Sequence, residues 1–452
     1  MATVNYPEAY LQMMREVMGQ DYEAWRAALD APLFRVVRLN LSKISEQVFM
    51  DEFPDAIKLE NYPGNLFKMP ESETSLGNHP FHHAGCFYIQ ESSASLPVEA
   101  LTLRNGDKVL DCCAAPGGKS TQILSQLNAS GLLVSNEIDS QRNQTLRFNL
   151  QRFGDDNLLV IQNDTGEIGQ AFKGYFDKIL VDAPCSGMGM FRKDPLGIKY
   201  FSQKNIDHCV RMQKDILDNV YSALKENGIM VYSTCTFTME ENELQIKSFI
   251  ERHPDMVIEE LPFSVGRNAI SLDAEVAKCR RITLLEGGEG HFIGRMRKTG
   301  KANLPRNSIL KPSVNLVVQK HLDFWLDKNI PYYLQNGHIY VSRFNLPITE
   351  NLRITQIGVY LGNIVKRRID PDHAFATSKI ASEHFMQRHD ITKDQMNAYL
   401  CGETLLIADI KGFVLLTYKL QPIGWGKGDG HIVKNHFPKG IRSFHKFSEK
   451  SK

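Results

Sequence analysis

Two cysteines stand at positions where a thiol can do chemistry. They occur in Asp182-Ala183-Pro184-Cys185 and Ser233-Thr234-Cys235, and each motif directly follows a run of apolar residues. Such runs are typical of strands that are buried on both faces of a parallel sheet. Ligands bind in the crevice outside the carboxyl ends of parallel strands, so we expect both thiols and the Asp182 carboxylate to share one site.

The chemistry that suits this arrangement is nucleophilic catalysis by a thiolate. Buried cysteines are usually inert packing, but turns rich in small and hydroxyl residues leave Cys185 and Cys235 accessible and offer N–H groups that stabilise a thiolate. A thiolate can add to carbon 6 of a pyrimidine, which makes carbon 5 able to attack a methyl donor. We expect Asp182 to relieve charge at the ring nitrogen, with a pKa that burial raises so that the carboxyl holds a shared proton. The second cysteine is suited to assist product release.

A Gly-containing loop earlier in the chain predicts an adenosine-type cofactor. The loop Cys113-Ala114-Ala115-Pro116-Gly117-Gly118-Lys119 separates a predicted strand from a predicted helix, which places backbone N–H groups and a helix N-terminus around a ligand. Its spacing fits neither the dinucleotide fingerprint nor the Walker pattern. Glu137 lies roughly 20 residues further on, where a carboxylate takes ribose hydroxyls. Asp164 could accept from an adenine amino group, although any one of these acids alone would more simply cap a helix.

The elements that must position these groups alternate between strand and helix from Gly106 onward. Helices are predicted between successive strands, among them one opened by the capping-box spacing of Thr238 and Glu241. This alternation predicts an α/β fold with a doubly wound, mostly parallel Rossmann-like sheet. The predicted strands are 108–112, 132–137, 158–161, 178–182 and 229–233, with a closing strand at 291–296, and the other predicted helices include 140–153 and 206–224.

Composition divides the remainder of the chain at about residues 100, 300 and 375, so the predicted domains are 1–100, 101–300, 301–375 and 376–452. The first is α+β, and its strand 36–41 carries Arg38 and Asn40 on a face that we interpret as solvated. The last is β-rich, with strands expected at 405–408 and 413–418. Basic residues without matching acids mark the linker 298–314 (Lys298, Lys301, Arg306, Lys311) and the C-terminal tail (Lys427, Lys434, Lys439, Arg442, Lys446, Lys450, Lys452, against Asp429 and Glu449).

Overall composition narrows the class of protein. The chain has 452 residues and a net charge of +1, so any basic surface for a polyanion must be local. Its eight cysteines include no Cys-x-x-Cys pair and no zinc-finger spacing, from which we expect free thiols and no metal. No secretory signal and no bilayer-length apolar run are evident, which predicts a cytoplasmic protein without a membrane partner.

Three ordered motifs, at 111–120, 182–187 and 232–236, resemble the Sun/Fmu family of S-adenosylmethionine-dependent RNA cytosine-5 methyltransferases, and the match extends over residues 30–300. The C-terminal segment 422–442 is similar to the PUA-like tail of the bacterial RsmF type, whose substrate is small-subunit ribosomal RNA. His291 departs from the family, which often has Phe there, and we interpret it as a half-buried strand residue. Further matching positions are Arg142, Asn149, Gly154, Gln213 and 240–243.

The resemblance implies roles for individual residues. Cys235 would be the nucleophile, Cys185 the thiol that assists release, and Asp182 and Lys119 would lie beside the substrate. The reaction implied is methylation of carbon 5 of a specific cytidine in 16S ribosomal RNA, within the small subunit, through a covalent adduct formed by a monomeric enzyme. The residues implied around S-adenosylmethionine are Cys113, Ala114, Ala115, Pro116, Gly117, Gly118, Lys119, Glu137, Asp164 and Asp182.

A target base must leave its stack to react, so RNA contacts are expected around the methyltransferase domain 101–300. Candidates are Arg38, Asn40, the segment 191–193, the basic linker and the PUA-like domain 376–452, with 1–100 as a further RNA-binding segment. Three alternatives stay open: the same reaction on transfer RNA, a small-molecule or protein methyltransferase with no use for paired thiols, and a non-catalytic ribosome-assembly factor that binds RNA but not the cofactor.

Overall fold

A small antiparallel sheet flanked by short helices begins the computed structural model, which describes residues 4–128, 130–270, 272–301, 309–347 and 351–442. The sheet order is β2-β3-β1-β4. Its elements are α1 (Glu8–Met18), α2 (Tyr22–Ala28), β1 (Val36–Leu39), α3 (Glu46–Glu52), β2 (Ile57–Lys58), β3 (Leu66–Lys68), α4 (Pro80–His83) and β4 (Phe87–Ile89), and α5 (Leu96–Leu101) leads out of it.

The interpretation of Arg38 and Asn40 as solvated residues is wrong. Arg38 is 2% exposed, and its guanidinium donates to Gln90 Oε1 at 2.7 Å and to the carbonyl of Gly118 at 2.8 Å. The Asn40 amide is buried as well and donates to the carbonyl of Gly85 at 3.0 Å. Both terminal nitrogens of the guanidinium are hydrogen-bonded, so Arg38 ties the N-terminal sheet to the Gly-containing loop and is not available to RNA.

A ten-stranded mixed sheet follows, and it confirms the predicted α/β fold. Its order is β11-β12-β13-β9-β8-β5-β6-β7-β16, with β10 beside β13; strands β5 to β9 are mutually parallel and the others antiparallel. The elements are β5 (Lys108–Asp111), α6 (Gly118–Leu127), β6 (Leu132–Asn136), α7 (Ser140–Phe153), β7 (Leu158–Ile161), α8 (Thr165–Ala171), β8 (Phe176–Asp182), α9 (Gln203–Tyr221), β9 (Leu224–Thr234), α10 (Glu243–Arg252), β10 (Met256–Glu259), β11 (Arg267–Asn268), β12 (Arg280–Ile282), β13 (His291–Lys298) and β16 (Ile354–Ile357).

The central strands read as continuous apolar runs because helices cover both faces of the sheet. In β8, Ile179 and Val181 pack in one core layer and Leu180 in the other, and all three are fully buried. Successive side chains of a strand point to opposite faces, so one strand supplies both layers. The strand order reverses between β5 and β8, and the loops that follow these two strands border the crevice where such sheets bind ligands.

The edge strand β16 comes from the predicted segment 301–375 and pairs with β7, with Ile354 opposite Ile161. The rest of the C-terminal region forms two four-stranded sheets, β14-β15-β17-β18 and β19-β20-β21-β22. These comprise α11 (Leu316–Trp325), β14 (Tyr332–Gln335), β15 (His338–Val341), β17 (Val359–Val365), β18 (Arg368–Pro371), α12 (His373–Ala376), α13 (Lys379–His384), β19 (Arg388–Asp390), α14 (Lys393–Leu400), β20 (Lys411–Tyr418), β21 (Gln421–Asp429) and β22 (Val433–Asn435).

The C-terminal sheets share a core. Trp425 is buried, its ring lies 4.7 Å from that of Phe385, and its Nε1 donates to the carbonyl of Asp372 at 2.8 Å. The predicted strand at 405–408 is wrong, because only Leu405 makes a bridge, to Val433. Arg306, Lys446, Lys450 and Lys452 of the predicted basic segments lie outside the described residues. Among the residues that are described, no helix has the length and apolarity required to cross a membrane.

Candidate active site

Cys185 and Cys235 meet beyond the carboxyl ends of the neighbouring strands β8 and β9. Asp182 is in register with Ser233, and the two Sγ atoms lie 3.3 Å apart in partly exposed residues. The pKa of Cys185 is raised well above its ordinary value, because its thiol is hydrogen-bonded to Cys235 and is largely shielded from water. Cys185 therefore keeps its proton at neutral pH, with Cys235 Sγ within hydrogen-bonding distance.

Glu241 holds the loop that carries Cys185. Its fully buried carboxylate accepts hydrogen bonds from Ser186 N at 2.8 Å, Ser186 Oγ at 2.5 Å, Gln213 Nε2 at 3.1 Å and Thr238 Oγ1 at 2.9 Å. Gln213 also donates to the carbonyl of Pro184 at 2.9 Å. A carboxylate with this many donors is a rigid anchor, so the position of Cys185 depends on Glu241.

The expected helix start at Thr238 is wrong, since α10 begins at Glu243. The Thr238–Glu241 hydrogen bond forms, but it closes a turn in which Glu241 faces the Cys185 loop instead of capping a helix. The capping-box spacing pointed to a different role for this residue, and the family resemblance, which includes 240–243, gave it no specific role.

Replacing Glu241 by Ala is expected to lower kcat without changing cofactor affinity. The Ser186 N–H and the Gln213 amide would lose their acceptor, at about 1–3 kcal/mol for each buried unsatisfied group. The Cys185 loop would shift, and a displacement of about 1 Å can cost about 100-fold in rate. Single-turnover kinetics and cofactor calorimetry measure the two effects separately. The exposed neighbour Glu240, changed to Ala, is the control; an unaltered kcat in Glu241→Ala would contradict the anchoring role.

The backbone of Cys235 packs so closely against Gly189 that position 189 has no room for a side chain. Gly189 N donates to the carbonyl of Cys235 at 2.9 Å, and a Cβ on Gly189 would lie 2.7 Å from the carbonyl oxygen of Gly290. Real Cβ atoms do not approach an oxygen so closely, so only glycine fits here. The buried Arg281 donates to the carbonyl of Phe237 at 2.7 Å and pairs with Glu243, which fixes the backbone beyond Cys235.

Asp182 is ionised in this site, which corrects the expectation of a raised pKa. Burial raises the pKa of Asp182, but Lys119 Nζ at 2.7 Å outweighs burial and holds it below the ordinary value. Ser233 Oγ donates to the other carboxylate oxygen at 2.7 Å. For Lys119, burial lowers the pKa and the pairing with Asp182 more than compensates, so the pKa is raised. The proton lies on Lys119, and the two residues form one charge-paired unit.

The Gly-containing loop is held in shape by two side chains of α7. Arg142 Nη2 donates to the carbonyl of Ala115 at 3.0 Å, and Asn149 Nδ2 donates to that of Pro116 at 2.7 Å. The Ala115–Pro116 peptide bond is cis, and Gly117, the N-cap residue that precedes α6, has φ +112°, a conformation that favours glycine. The loop therefore presents its backbone to a cavity beside α6.

Two buried acids near this loop have acceptor oxygens without a hydrogen bond in the described part of the chain, Asp111 Oδ1 and Glu137 Oε2. Ser120 Oγ donates to the other Asp111 oxygen at 2.6 Å, and burial raises the pKa of Asp111 to about 7. Buried acceptors of this kind call for donors from a ligand. An adenosine cofactor with an amino-acid group supplies them, as hydroxyls and an ammonium. Asp111 was missed as a ligand-binding residue, although it ends the strand before the loop.

A cavity of about 290 Å³ lies between the Gly-containing loop, Asp182 and β4. Of the predicted site residues, it is lined by Cys113, Ala114, Ala115, Pro116, Gly118, Lys119 and Asp182, and Asp111 joins them. The thiol pair does not line the cavity. It adjoins the cavity through Asp182, which precedes Cys185 in the same loop and is hydrogen-bonded to Ser233, two residues before Cys235.

Asp164 does not line the cavity, and its side chain fits the simpler interpretation, that of a helix cap. It is exposed and caps α8, with Oδ1 accepting from Gly166 N at 2.7 Å. Glu137 likewise does not line the cavity, but its buried carboxylate keeps one oxygen, Oε2, without a hydrogen bond among the described residues. In the described residues, no group of three or more His, Cys, Asp and Glu side chains is placed to hold a metal.

His291 is buried, at 6% exposure, and lines the cavity, so its interpretation as a half-buried strand residue is wrong. Its Nδ1 lies 2.8 Å from Ser93 Oγ, and Glu91 anchors that turn by accepting from Ser93 N at 2.9 Å and Glu289 N at 3.1 Å. Burial and the nearby Lys119 lower the pKa of His291 to about 4, so the ring is neutral at pH 7. The comparison with the family had singled out His291, whereas Glu91 is a wall residue that the motifs did not indicate.

Of the predicted RNA-contacting segment 191–193, one residue faces the site. Phe191 is buried against Tyr10, and Arg192 pairs with Glu289 at 2.9 Å. Lys193 lines both the cavity and a neighbouring groove of about 580 Å³. The cavity and the groove therefore share Lys193 as part of their walls.

Family models match the chain in four consecutive stretches. The N-terminal domain of 16S rRNA methyltransferase RsmF matches residues 6–92, and 16S rRNA methyltransferase RsmB/F matches 98–297. The RsmF rRNA methyltransferase first C-terminal domain matches 319–378, and the methyltransferase RsmF PUA domain matches 387–443. Together with the sheet order and the site, these matches define an RNA methyltransferase with a Rossmann-like catalytic domain.

Relatives match along the whole chain. It is 30% identical over 469 residues to the ribosomal RNA small subunit methyltransferase F of Escherichia coli strain K12, with 97% of each chain covered. It is 31% identical over 467 residues to the protein of that name from Pectobacterium carotovorum, covering 97% of this chain and 96% of the other. The chain therefore belongs to the RsmF family of 16S rRNA methyltransferases.

Solved structures agree on the fold of the catalytic part. A methyltransferase homologue from Pyrococcus horikoshii is 28% identical with a TM-score of 0.58, and covers 65% of this chain and 96% of its own. NSun6 from the same organism, solved with SFG, has a TM-score of 0.58 at 20% identity, and covers 66% of this chain and all of its own.

Proposed function

We propose that this protein transfers a methyl group from S-adenosylmethionine to carbon 5 of a cytidine in 16S ribosomal RNA, with Cys235 as nucleophile. The observation that carries the proposal is the 3.3 Å approach of two thiols beside a charge-paired Asp182 and a cofactor-type loop, in a member of the RsmF family. Paired thiols have no use in small-molecule or protein methylation, so they favour a pyrimidine substrate.

The steps follow from the contacts. The Cys235 thiolate adds to carbon 6, and the charge that develops on the ring is stabilised by the Lys119 ammonium, which Asp182 holds in place. Carbon 5 then becomes the nucleophile. Once Cys235 is bonded to carbon 6, its hydrogen bond and charge no longer raise the pKa of Cys185. Cys185, which is partly exposed, can then release its proton to solvent, and its thiolate takes the proton from carbon 5 as the bond from Cys235 to carbon 6 breaks and Cys235 leaves as a thiolate.

The residues around the cavity fit S-adenosylmethionine, which supplies an electrophilic methyl group when bound. Asp111 Oδ1 is suited to hold the α-ammonium, since it is a buried acceptor without a hydrogen bond among the described residues. Glu137 Oε2 is suited to hold the ribose hydroxyls, since it is buried and pairs with Arg142 Nη1 at 3.4 Å but accepts no hydrogen bond from the described residues. Cys113 to Lys119 form the backbone wall. Acceptance of a hydrogen bond from the adenine amino group by Asp164 stays a prediction, because its carboxylate also caps α8.

The proposal is tested by nucleoside mass spectrometry after incubating the protein and S-adenosylmethionine with 16S ribosomal RNA, with small ribosomal subunits, or with transfer RNA. We expect 5-methylcytidine in 16S ribosomal RNA, free or assembled. The same product in transfer RNA alone would replace the substrate. Cofactor binding without methylation of any RNA would favour an assembly factor.

Cofactor binding is expected to release protons at pH 7, and Asp111 is the source. Burial raises its pKa to about 7, so roughly half of the carboxyls are protonated before a cation arrives. The bound ammonium lowers that pKa, and about half a proton leaves per site. Calorimetry of S-adenosylmethionine binding in buffers of different ionisation enthalpy measures the release. In Asp111→Asn we expect no release and an affinity lower by about tenfold or more; equal release in both proteins would contradict the assignment.

A further inference from the structure

A groove of about 1050 Å³ lies far along the chain from the catalytic motifs, between α11, the β17–β18 hairpin and the β20–β21 hairpin. Four cations line it: Lys366, Arg367, Arg368 and Lys427. Its lining contains a single acid, Asp370, so the groove carries a net positive charge although the whole chain is nearly neutral. A local field of this kind attracts a polyanion.

The cations of the groove are free to bind. All four are exposed, and none of them forms an ion pair with any residue that the structure describes. Lys366 and Arg367 project from the tight turn of the hairpin, where Lys366 has φ +58°. Lys427 comes from the other sheet and lies 4.9 Å above the ring of Phe413. Positive charge thus reaches the groove from two separate sheets.

Aromatic rings form the floor and one rim. Trp325 is buried and meets Phe413 edge-on at 6.0 Å, so both rings are fixed. The preceding residue, Phe324, is 76% exposed in the last turn of α11 and lines the groove. An apolar ring in water beside unpaired cations matches the combination that single-stranded nucleic acid recognises, a stacking platform with a charged track for phosphates.

We propose that this groove is a second RNA-binding site, which holds single-stranded nucleotides of the substrate away from the reacting cytidine. Phe324 stacks on a base, and Arg367, Arg368 and Lys427 contact phosphates. The proposal rests on the proposed function for the identity of the substrate. The groove is distinct from the basic C-terminal tail as a place for RNA to bind. Phe324, Arg367 and Arg368 precede the region that matches the PUA domain, and the proposed site includes no residue beyond 442.

The charge contribution is tested by fluorescence anisotropy with a labelled oligouridine of about 12 nucleotides, a length within the usual single-strand site sizes. Arg367→Gln with Arg368→Gln removes two phosphate contacts. We expect weaker binding and a slope of log K against log salt that is smaller by about 1.4. The control is Arg104→Gln with Lys173→Gln. These two exposed cations precede β5 and β8, at the amino ends of the parallel strands of the main sheet. Equal slopes in the two double variants would overturn the proposal.

The stacking contribution has a separate signature. Phe324→Ala is expected to weaken oligouridine binding about tenfold at every salt concentration with no change in slope. The control is Leu420→Ala, a 77% exposed apolar residue at the other end of the β20–β21 hairpin. With 4-thiouridine in the probe, photo-cross-links are expected on the peptide 321–328. Unchanged oligouridine binding in Phe324→Ala would contradict the stacking role. If the groove variants abolish the binding of polyglutamate and leave oligouridine binding unchanged, the groove binds an acidic protein partner instead.

Turnover separates this proposal from the function on which it rests. In the groove variants we expect S-adenosylmethionine affinity and kcat to stay at wild-type values while the KM for 16S ribosomal RNA rises about tenfold. If the wild-type protein methylates no ribosomal RNA but the variants still lose RNA affinity, the groove stands and the function falls. Normal methylation with an unchanged KM in every variant overturns the groove alone.

Discussion

The Cys185→Ala variant is expected to accumulate a covalent complex with RNA, whereas Cys235→Ala forms none and both lose turnover by roughly 10³-fold or more, as for other covalent nucleophiles. The two thiols lie 3.3 Å apart but differ in their proposed roles: Cys235 adds to carbon 6, and Cys185, whose pKa is raised, holds its proton until that bond has formed. Without Cys185, carbon 5 keeps its proton after methylation, and the bond from Cys235 to carbon 6 cannot break.

Denaturing electrophoresis and intact-mass spectrometry, after incubation with S-adenosylmethionine and 16S ribosomal RNA, distinguish these outcomes, and nuclease digestion of the adduct identifies the cytidine. Cys209→Ala is the matched control: that thiol is buried on α9, outside the pair, and we expect near-normal turnover. An adduct in Cys235→Ala but not in Cys185→Ala would exchange the two roles. Full activity in both variants would make the thiols structural.

Asp182→Asn should lower kcat by about 10²- to 10⁴-fold, the range for loss of a group that positions or moves a proton at the reacting centre. The substitution keeps the shape of the side chain but removes its charge, so Lys119 loses its partner and the ammonium is no longer held beside the ring. Because Lys119 keeps the pKa of Asp182 below its ordinary value, the carboxylate needs no deprotonation at neutral pH. We therefore expect no loss of activity from this group between about pH 8 and 5 in the wild-type protein.

Single-turnover rates with pre-bound cofactor measure this effect apart from binding. Ser233→Ala is the graded control, since it removes one hydrogen bond from the same carboxylate and leaves the ion pair intact, so a loss of about fivefold to tenfold is expected. Thermal unfolding of each variant separates loss of chemistry from loss of fold. A turnover for Asp182→Asn within about threefold of wild type would remove the ion pair from the mechanism.

The catalytic site and the C-terminal groove are expected to contribute to different kinetic constants. The catalytic sheet holds one base, while the C-terminal groove, if it binds as proposed, holds nucleotides at a distance and contributes to KM and not to kcat. Lys43 is one physical link between parts of the chain, as its ammonium donates to the carbonyls of Ala84, Arg152 and Thr377 at 2.7–2.8 Å, which belong to the N-terminal, catalytic and C-terminal parts. The relative placement of the regions is therefore built into the core.

The sequence by itself determined the alternation of strands and helices in the catalytic sheet and the loops that carry chemistry. Apolar runs such as 179–181 are local signals, and a motif that follows a parallel strand must lie at the sheet's carboxyl edge whatever the rest of the chain does. Cys185, Cys235, Asp182 and the Gly-containing loop were placed correctly at that edge for this reason. Family resemblance added the reaction, which strand pattern alone leaves open.

Only the tertiary structure decided which charges are buried, and therefore which are protonated. Arg38 lies in a strand pattern typical of a solvated face, yet helix α6 covers it; Glu241 has the spacing of a helix cap, yet it anchors the Cys185 loop. The pKa of Asp182 falls because Lys119, distant in sequence, lies 2.7 Å away. Burial and pairing depend on groups that the chain brings together from far apart, and no local pattern contains that information.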